Sequence, residues 1–414
     1  MELLQRAGTA MEASGDRFDV IVVGAGIMGS CAAYEAAKRG RRVLLLEQFD
    51  FLHCLGSSHG ESRTIRAAYT KDFYPSMVLE SRRLWEAAQS EIGYRVLTDT
   101  SHLDIGPAGS SSLQSVLSCC KQQSSLNMRL LDRPALAEMF SGTFRLPEGW
   151  IGVGSDVGGV IKPTKAVAMF QALAVRRGAV LKDHTRVTDI KRDEEGRSLR
   201  VATAGGSAFS AKKCVVTVGA WMRKLVKEVS GVDLPIRPLH TTACYWKIKQ
   251  GHEKELSVEG GFPTFDSCGE IHAYGTPSME FPGLIKINSD GGNPCDPDGR
   301  DWTLGASGVL VDAVGSWIEQ ILPGIVEAEK PVMTQSCMYS MTPDKDFVID
   351  FLGGEFGEDV VVAGGFSGHG FKMGPLVGKI LAELAIDGEA AGVEMKHFRI
   401  GRFAEEAASS HADS

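Results

Sequence analysis

Apolar residues fall in short dense runs: DVIVV (19–23), VLLL (43–46), CVVTV (214–218), FVID (347–350) and DVVVAG (359–364). Each reads as a strand, and helix-like stretches alternate with the first two and follow the last. That alternation predicts an α/β domain assembled from both ends of the chain. Between about 240 and 335 the strand-like pieces stand alone, as in TTACYWKI and GLIKIN, and predict a second, mainly antiparallel domain. The expected division gives 18–104, 158–231 and 344–400 to the first domain, and 105–157 and 232–343 to the second. Residues 1–17 and 402–414 read as polar tails. No internal repeat or low-complexity block interrupts the pattern.

Composition narrows the classes. Over 414 residues, 43% are hydrophobic and 23% charged, ordinary for a chain that buries a large core. Lys and Arg number 44 against 52 Asp and Glu, a formal charge of −8 that argues against a nucleic-acid partner. No apolar run nears the ~18 residues that suggest a membrane span. The nine cysteines include no CxxC pair and form no disulfide framework. With an N-terminus that lacks an apolar signal core, they point to a reducing intracellular compartment, cytoplasmic or peroxisomal. The final HADS is not an SKL-type peroxisomal address. A monomer is expected, and no metal site is assigned.

The segment FDVIVVGAGIMGSCAAYEAAKRGRRVLLLEQ carries the most chemistry. A strand leads into Gly24, Gly26 and Gly29, a helix follows to Gly40, and a second strand ends at Glu47, 23 residues after Gly24. Gly24 permits a tight turn, Gly26 lets a pyrophosphate approach the backbone, and Gly29 lets helix and strand pack closely. The helix N-terminus then offers N–H groups and its positive dipole end to phosphates, while Glu47 can accept from ribose hydroxyls. This is a Rossmann-like βαβ unit. DVVVAGGFSGHGFKMGPLVGKILAEL repeats the strand–turn–helix logic near the other end, with a helix starting near Phe371. A second helix N-terminus suits a flavin, whose reduced form carries negative charge at N1–C2=O. FAD is therefore favoured over NAD, and the absence of CxxxxC argues against the flavin disulfide reductases.

GAGIMGS, GSSHGESRTIR (56–66), TVGAW (217–221), SCMYSMTPD (336–344) and GGFSGHGFK (364–372), in this order, resemble the monomeric sarcosine oxidase family of amine-oxidising flavoproteins, and its sarcosine/L-pipecolate oxidase branch in particular. The resemblance runs over about residues 18–400. It implies an FAD-binding domain interleaved with an antiparallel substrate domain, in agreement with the pattern above.

The resemblance also implies roles. Cys337 matches a cysteine joined through sulfur to the flavin, which requires a thiolate in a positive field; without that context a buried inert cysteine is the ordinary reading. His59, Arg63 and Arg66 share one face if their stretch is helical, the first two at the flavin and Arg66 on a substrate carboxylate. Lys372, just inside the C-terminal helix, is the other carboxylate partner. Lys286 matches a lysine over the flavin where oxygen reacts, its charge stabilising reduced oxygen. Tyr339 lines the substrate pocket, or else packs in the core with one hydrogen bond. Further cofactor positions are Ile27, Met28, Gln48, Ser57, Val187, Gly219, Trp221, Gly368, His369 and Gly370. One departure stands out: four residues beyond Lys286, where many relatives carry histidine, this chain has Asp290, and no histidine lies in 281–300.

The implied reaction is oxidation of a secondary amino acid, sarcosine or L-pipecolate, by O2 to an imine and hydrogen peroxide. Positive charge lowers the amine pKa on binding, so no dedicated base is required. Three alternatives remain open: oxidation of another N-substituted or glycated amino acid, a dehydrogenase that hands electrons to a carrier protein, and an inactive flavin-binding paralogue.

Overall fold

The computed structural model describes residues 17–123, 126–302 and 308–404. Two compact units divide the chain. The first runs to His59 and takes in Ala166–Arg237 and the chain from Ser340 onward; the second comprises Gly60–Lys165 and Pro238–Tyr339.

The first unit is built on a largely parallel sheet. Val360–Gly364, Ala208–Val216, Arg17–Val23, Val43–Leu46 and Val180–Lys182 lie side by side and parallel, and Val348–Phe351 adds an antiparallel edge. All four residues of Val43–Leu46 and all five of Val360–Gly364 are buried, as expected of strands covered on both faces. The helix Ile27–Lys38 follows the first strand, and the helix Gly374–Asp387 packs directly on it. That approach depends on small residues: a Cβ at Gly378 would lie 2.3 Å from the Cβ of Cys31, and one at Gly374 would lie 2.7 Å from Cγ1 of Ile27.

The second unit holds a ten-stranded sheet whose neighbours run mainly antiparallel, while Thr264–Ser267 runs parallel to Leu97–Pro107. Its core is aromatic, with Phe265 stacked on Trp317 at 5.1 Å and 4° and Phe144 stacked on Phe262 at 5.1 Å. Such pairs add roughly 1 kcal/mol each beyond area burial.

Both sheets follow the expected fold class, but the boundaries differ. Residues 60–104 and 158–165, expected in the first domain, lie in the second unit. Arg63–Arg66 and Leu97–Pro107 both hydrogen-bond to Trp150–Ile161, and that pairing holds them in the second sheet. Among the described residues, no helix is long and apolar enough to cross a membrane.

Candidate active site

In the first unit the glycine turn forms a cradle for a dinucleotide. Gly24 has φ +95°, and a Cβ there would lie 2.7 Å from the carbonyl oxygen of Thr217. A Cβ at Gly29 would lie 1.8 Å from the Gly24 oxygen, so helix and turn can touch only if residue 29 has no side chain. At Gly26 a Cβ would meet only the side chain of Ser58, its hydroxyl at 3.0 Å and its Cβ at 3.8 Å. The amide of Ile27 donates to that hydroxyl at 3.1 Å. Ser58 thus joins the loop to the first turn of the helix; the sequence reading singled out its neighbour, Ser57.

The Glu47 carboxylate is held by backbone. Its two oxygens accept from the amides of Ala25 at 2.9 Å and Phe49 at 3.1 Å. Buried N–H donors fix a carboxylate in one orientation, here at the end of the second strand, where a ribose is expected. Gln48 follows it half-buried, and Ile27 and Met28 are buried in the first helical turn. Gly219–Trp221 forms a 3-10 turn, with Trp221 edge-on to Phe49 at 5.5 Å. Val187 packs in the core of this unit.

The second glycine turn also behaves as expected. Gly368, His369 and Gly370 lead into the 3-10 turn Phe371–Met373 and then the helix Gly374–Asp387. Nε2 of His369 lies 2.9 Å from the carbonyl oxygen of Lys345. Lys372 is only 6% exposed and donates to the His369 carbonyl at 3.0 Å. A buried ammonium that is held in place is costly to keep without a use. An FAD fits these residues: two glycine turns, each opening a helix, and a fixed acid at the second strand.

The second unit gathers the reactive side chains. Arg63 and Arg66 lie in the strand Arg63–Arg66, so the helical face expected for His59, Arg63 and Arg66 does not exist. His59 sits buried in the loop before it. Strand alternation sends residues three apart to opposite faces, and the two arginines have different surroundings. Arg63 donates through Nη1 to the Ser62 carbonyl at 2.8 Å and through Nη2 to the sulfur of Cys337 at 3.5 Å. Lys286 donates to the same carbonyl at 3.1 Å and to the Ser62 hydroxyl at 3.0 Å. Burial lowers the Lys286 pKa to about 8, and Arg63 adds to that effect while Glu280 opposes it.

Arg66 donates to the Ala68 carbonyl, lies 4.9 Å from the Tyr69 ring centre, and pairs with Asp266 at 2.9 Å. The other oxygen of Asp266 lies 3.0 Å from Nε2 of His272, whose Nδ1 is 3.3 Å from Asp290. Asp290 therefore does have an imidazole beside it, supplied from the neighbouring strand edge. The Tyr339 hydroxyl lies 2.8 Å from that of Tyr274, and burial raises the pKa of both phenols, keeping them protonated.

Ser58, Ser62, Tyr274, Asp266 and His272 were not legible in the sequence. Only Ser58 and Ser62 carried a signal, as members of the GSSHGESRTIR motif beside Ser57, His59 and Arg63. A buried acid within the strand Thr264–Ser267 leaves no mark in a local hydrophobic pattern.

A dinucleotide cradle in the first unit and a cluster of buried cations in the second are the features with which the comparisons with known proteins agree. The model for FAD dependent oxidoreductases matches residues 19–384. The chain is 60% identical over 397 residues to the probable sarcosine oxidase of Arabidopsis thaliana, covering 95% of this chain and 94% of that one. It is 35% identical to the peroxisomal sarcosine oxidase of Homo sapiens, with 95% and 98% covered. Against the monomeric sarcosine oxidase of Bacillus sp. (strain B-0618) it is 34% identical, with 90% and 93% covered. Among solved structures, the open form of the amino acid oxidase NikD superposes with a TM-score of 0.77 at 24% identity, covering 93% of this chain and 97% of that one, a likeness of fold. The chain belongs to the sarcosine oxidase group of the FAD-dependent oxidoreductase family and is an FAD-dependent amine oxidase.

Proposed function

We propose that the chain oxidises a secondary amino acid, sarcosine or L-pipecolate, with O2 as acceptor, to an imine and hydrogen peroxide. The observation that carries this reading is the buried Lys286 held by Ser62 beside Arg63, in the same unit as Arg66, Tyr339 and Cys337. Gly24, Gly26, Gly29, Glu47 and Ser58, with the Gly368–Gly370 turn, would hold the dinucleotide, and Cys337 is the residue we assign to covalent attachment. When bound, FAD would supply the two-electron redox chemistry for the C–H bond next to nitrogen and for O2.

The chain's own residues do the rest. We assign the substrate carboxylate to Arg66, whose planar fork suits it, and keep for Lys372 the carboxylate role that the resemblance implies. Their charge favours the neutral amine on binding, so the amine needs no dedicated base. Tyr339, oriented by its bond to Tyr274, fixes the amine. Lys286 keeps a positive charge where oxygen becomes an anion. We assign the protein as a monomer in the cytoplasm or peroxisome; its human and mouse relatives are named peroxisomal.

A second reading, oxidation of a bulkier N-substituted amino acid, draws support from Asp266 and Asp290, acids that suit a cationic amine. Anaerobic addition of sarcosine, L-pipecolate and N-substituted amino acids, followed by peroxide assay on readmitting air, separates the readings. Bleaching by sarcosine or L-pipecolate with stoichiometric peroxide is the expected result. Bleaching by the bulkier compounds alone favours the second reading, and bleaching without peroxide indicates a dehydrogenase.

A further inference from the structure

Asp266 lies in a strand whose four residues are all buried, directly opposite Asp104 on the neighbouring strand. Two aspartates in cross-strand register repel unless cations stand between or around them. His102, fully buried, approaches Asp104 at 3.3 Å, while Arg66 and His272 each take one oxygen of Asp266. Asp290, about half exposed, faces the outer nitrogen of His272. The charged groups acting on His272 are therefore Asp266, Asp290 and Arg66, and those acting on Asp266 include His102 as well. Tyr69 and Cys268 border the cluster and stay neutral because burial raises their pKa values.

An arginine and a carboxylate left to themselves favour a bidentate pair, with two parallel N–H···O bonds. Such a pair would consume the face of the guanidinium that a substrate carboxylate needs. Here Arg66 pairs with one oxygen of Asp266 at 2.9 Å, and Nε2 of His272 stands 3.0 Å from the other, an ion-pair contact without hydrogen-bond alignment. We propose that His272 is a positioning residue for Arg66: by setting its imidazole against the second oxygen of Asp266 it keeps this internal carboxylate from closing on the guanidinium, and so leaves Arg66 able to bind the carboxylate of the substrate. This rests on the assignment of Arg66 as the carboxylate ligand. The charge of His272 adds to the effect. The Asp266 carboxylate beside it raises its pKa to about 9 against the cost of burial, with Asp290 contributing, so it is protonated at neutral pH.

The test uses the flavin-loaded enzyme and methoxyacetate, a carboxylate without an amine, with the dissociation constant read by calorimetry and by perturbation of the flavin spectrum. His272→Leu weakens binding roughly tenfold, the size of one charge-assisted hydrogen bond, and His272→Gln, which keeps an N–H donor, recovers part of the loss. Affinity falls as pH rises through about 9, where His272 loses its proton. That limb is measured in a Lys286→Met background, since Lys286 titrates nearby. It is absent in His272→Gln and moves to lower pH in Asp290→Asn, a change at an exposed position that leaves folding intact. If His272→Leu binds as tightly as wild type while Arg66→Lys binds weakly, the inference fails and the role of Arg66 stands. If Arg66→Lys binds as tightly as wild type, the carboxylate assignment fails and takes the inference with it. Should His272→Leu not fold, an unmoved limb in Asp290→Asn overturns the proposal.

Discussion

The guanidinium of Arg63 lies 3.5 Å from the sulfur of Cys337, and through its other terminal nitrogen it shares the Ser62 carbonyl with Lys286. One backbone oxygen thus draws two cations together beside a cysteine. The proposed attachment of flavin through Cys337 rests on this contact and is open to a direct test.

Cys337→Ser therefore releases flavin on acid precipitation, moving fluorescence from pellet to supernatant. Arg63→Ala, which leaves the sulfur in place, lowers the fraction retained in the pellet when apoprotein is mixed with FAD for a fixed time. Full retention in Cys337→Ser would show that no bond forms through this residue.

Under the proposed function Lys286 gives the oxygen reaction a pH dependence. Burial, with help from Arg63, brings its pKa to about 8, so its charge is present below that pH and lost above it. Stopped-flow reoxidation of the reduced enzyme slows as pH rises through about 8. Lys286→Met lowers the rate on the order of a hundredfold, the scale of a lost electrostatic contact to a developing anion, and flattens the profile. An unchanged rate in Lys286→Met would rule out this role.

Asp266 contributes to stability as well as to positioning. Burial favours its neutral form, yet Arg66 and His272 hold its pKa down to about 2. The folded value lies below the ordinary ~4 for aspartate, so the stabilisation is present above about pH 4 and lost as pH falls toward 2. Asp266→Ala leaves the Arg66 charge without its partner and costs about 3 kcal/mol, read as a shift of the urea midpoint with an unchanged slope. A midpoint equal to wild type would show that the pair is energetically idle.

Gly29→Ala probes the cradle. The added carbon would lie 1.8 Å from a backbone oxygen that cannot swing aside. The expected cost is about 3 kcal/mol, at the upper end for overpacking, together with loss of yellow colour from the purified protein. A yellow, equally stable Gly29→Ala protein would mean that the turn can open.

The first unit was largely legible in the amino-acid order. The runs at 19–23, 43–46 and 359–364 became strands nearly residue for residue, and Gly24, Gly29 and Glu47 took the places their spacing implied. These features are local: a glycine turn, a helix start and a buried strand are set by backbone conformation and hydrophobicity within about thirty residues. The 56–66 segment misled for the same reason. Its spacing fits a helical face, but its pairing partner lies nearly a hundred residues away, in Trp150–Ile161.

Chain order thus settled the cofactor class and the motif residues, because those depend on short-range backbone geometry. Tertiary structure alone decided what the motif residues touch. Lys286 finds Ser62 across 224 positions, Tyr339 finds Tyr274 across 65, and Arg66 meets Asp266 and, beyond it, His272. Such contacts follow from which strands pair and in what register, and a strand's partner is chosen by the whole buried surface rather than by its own few residues.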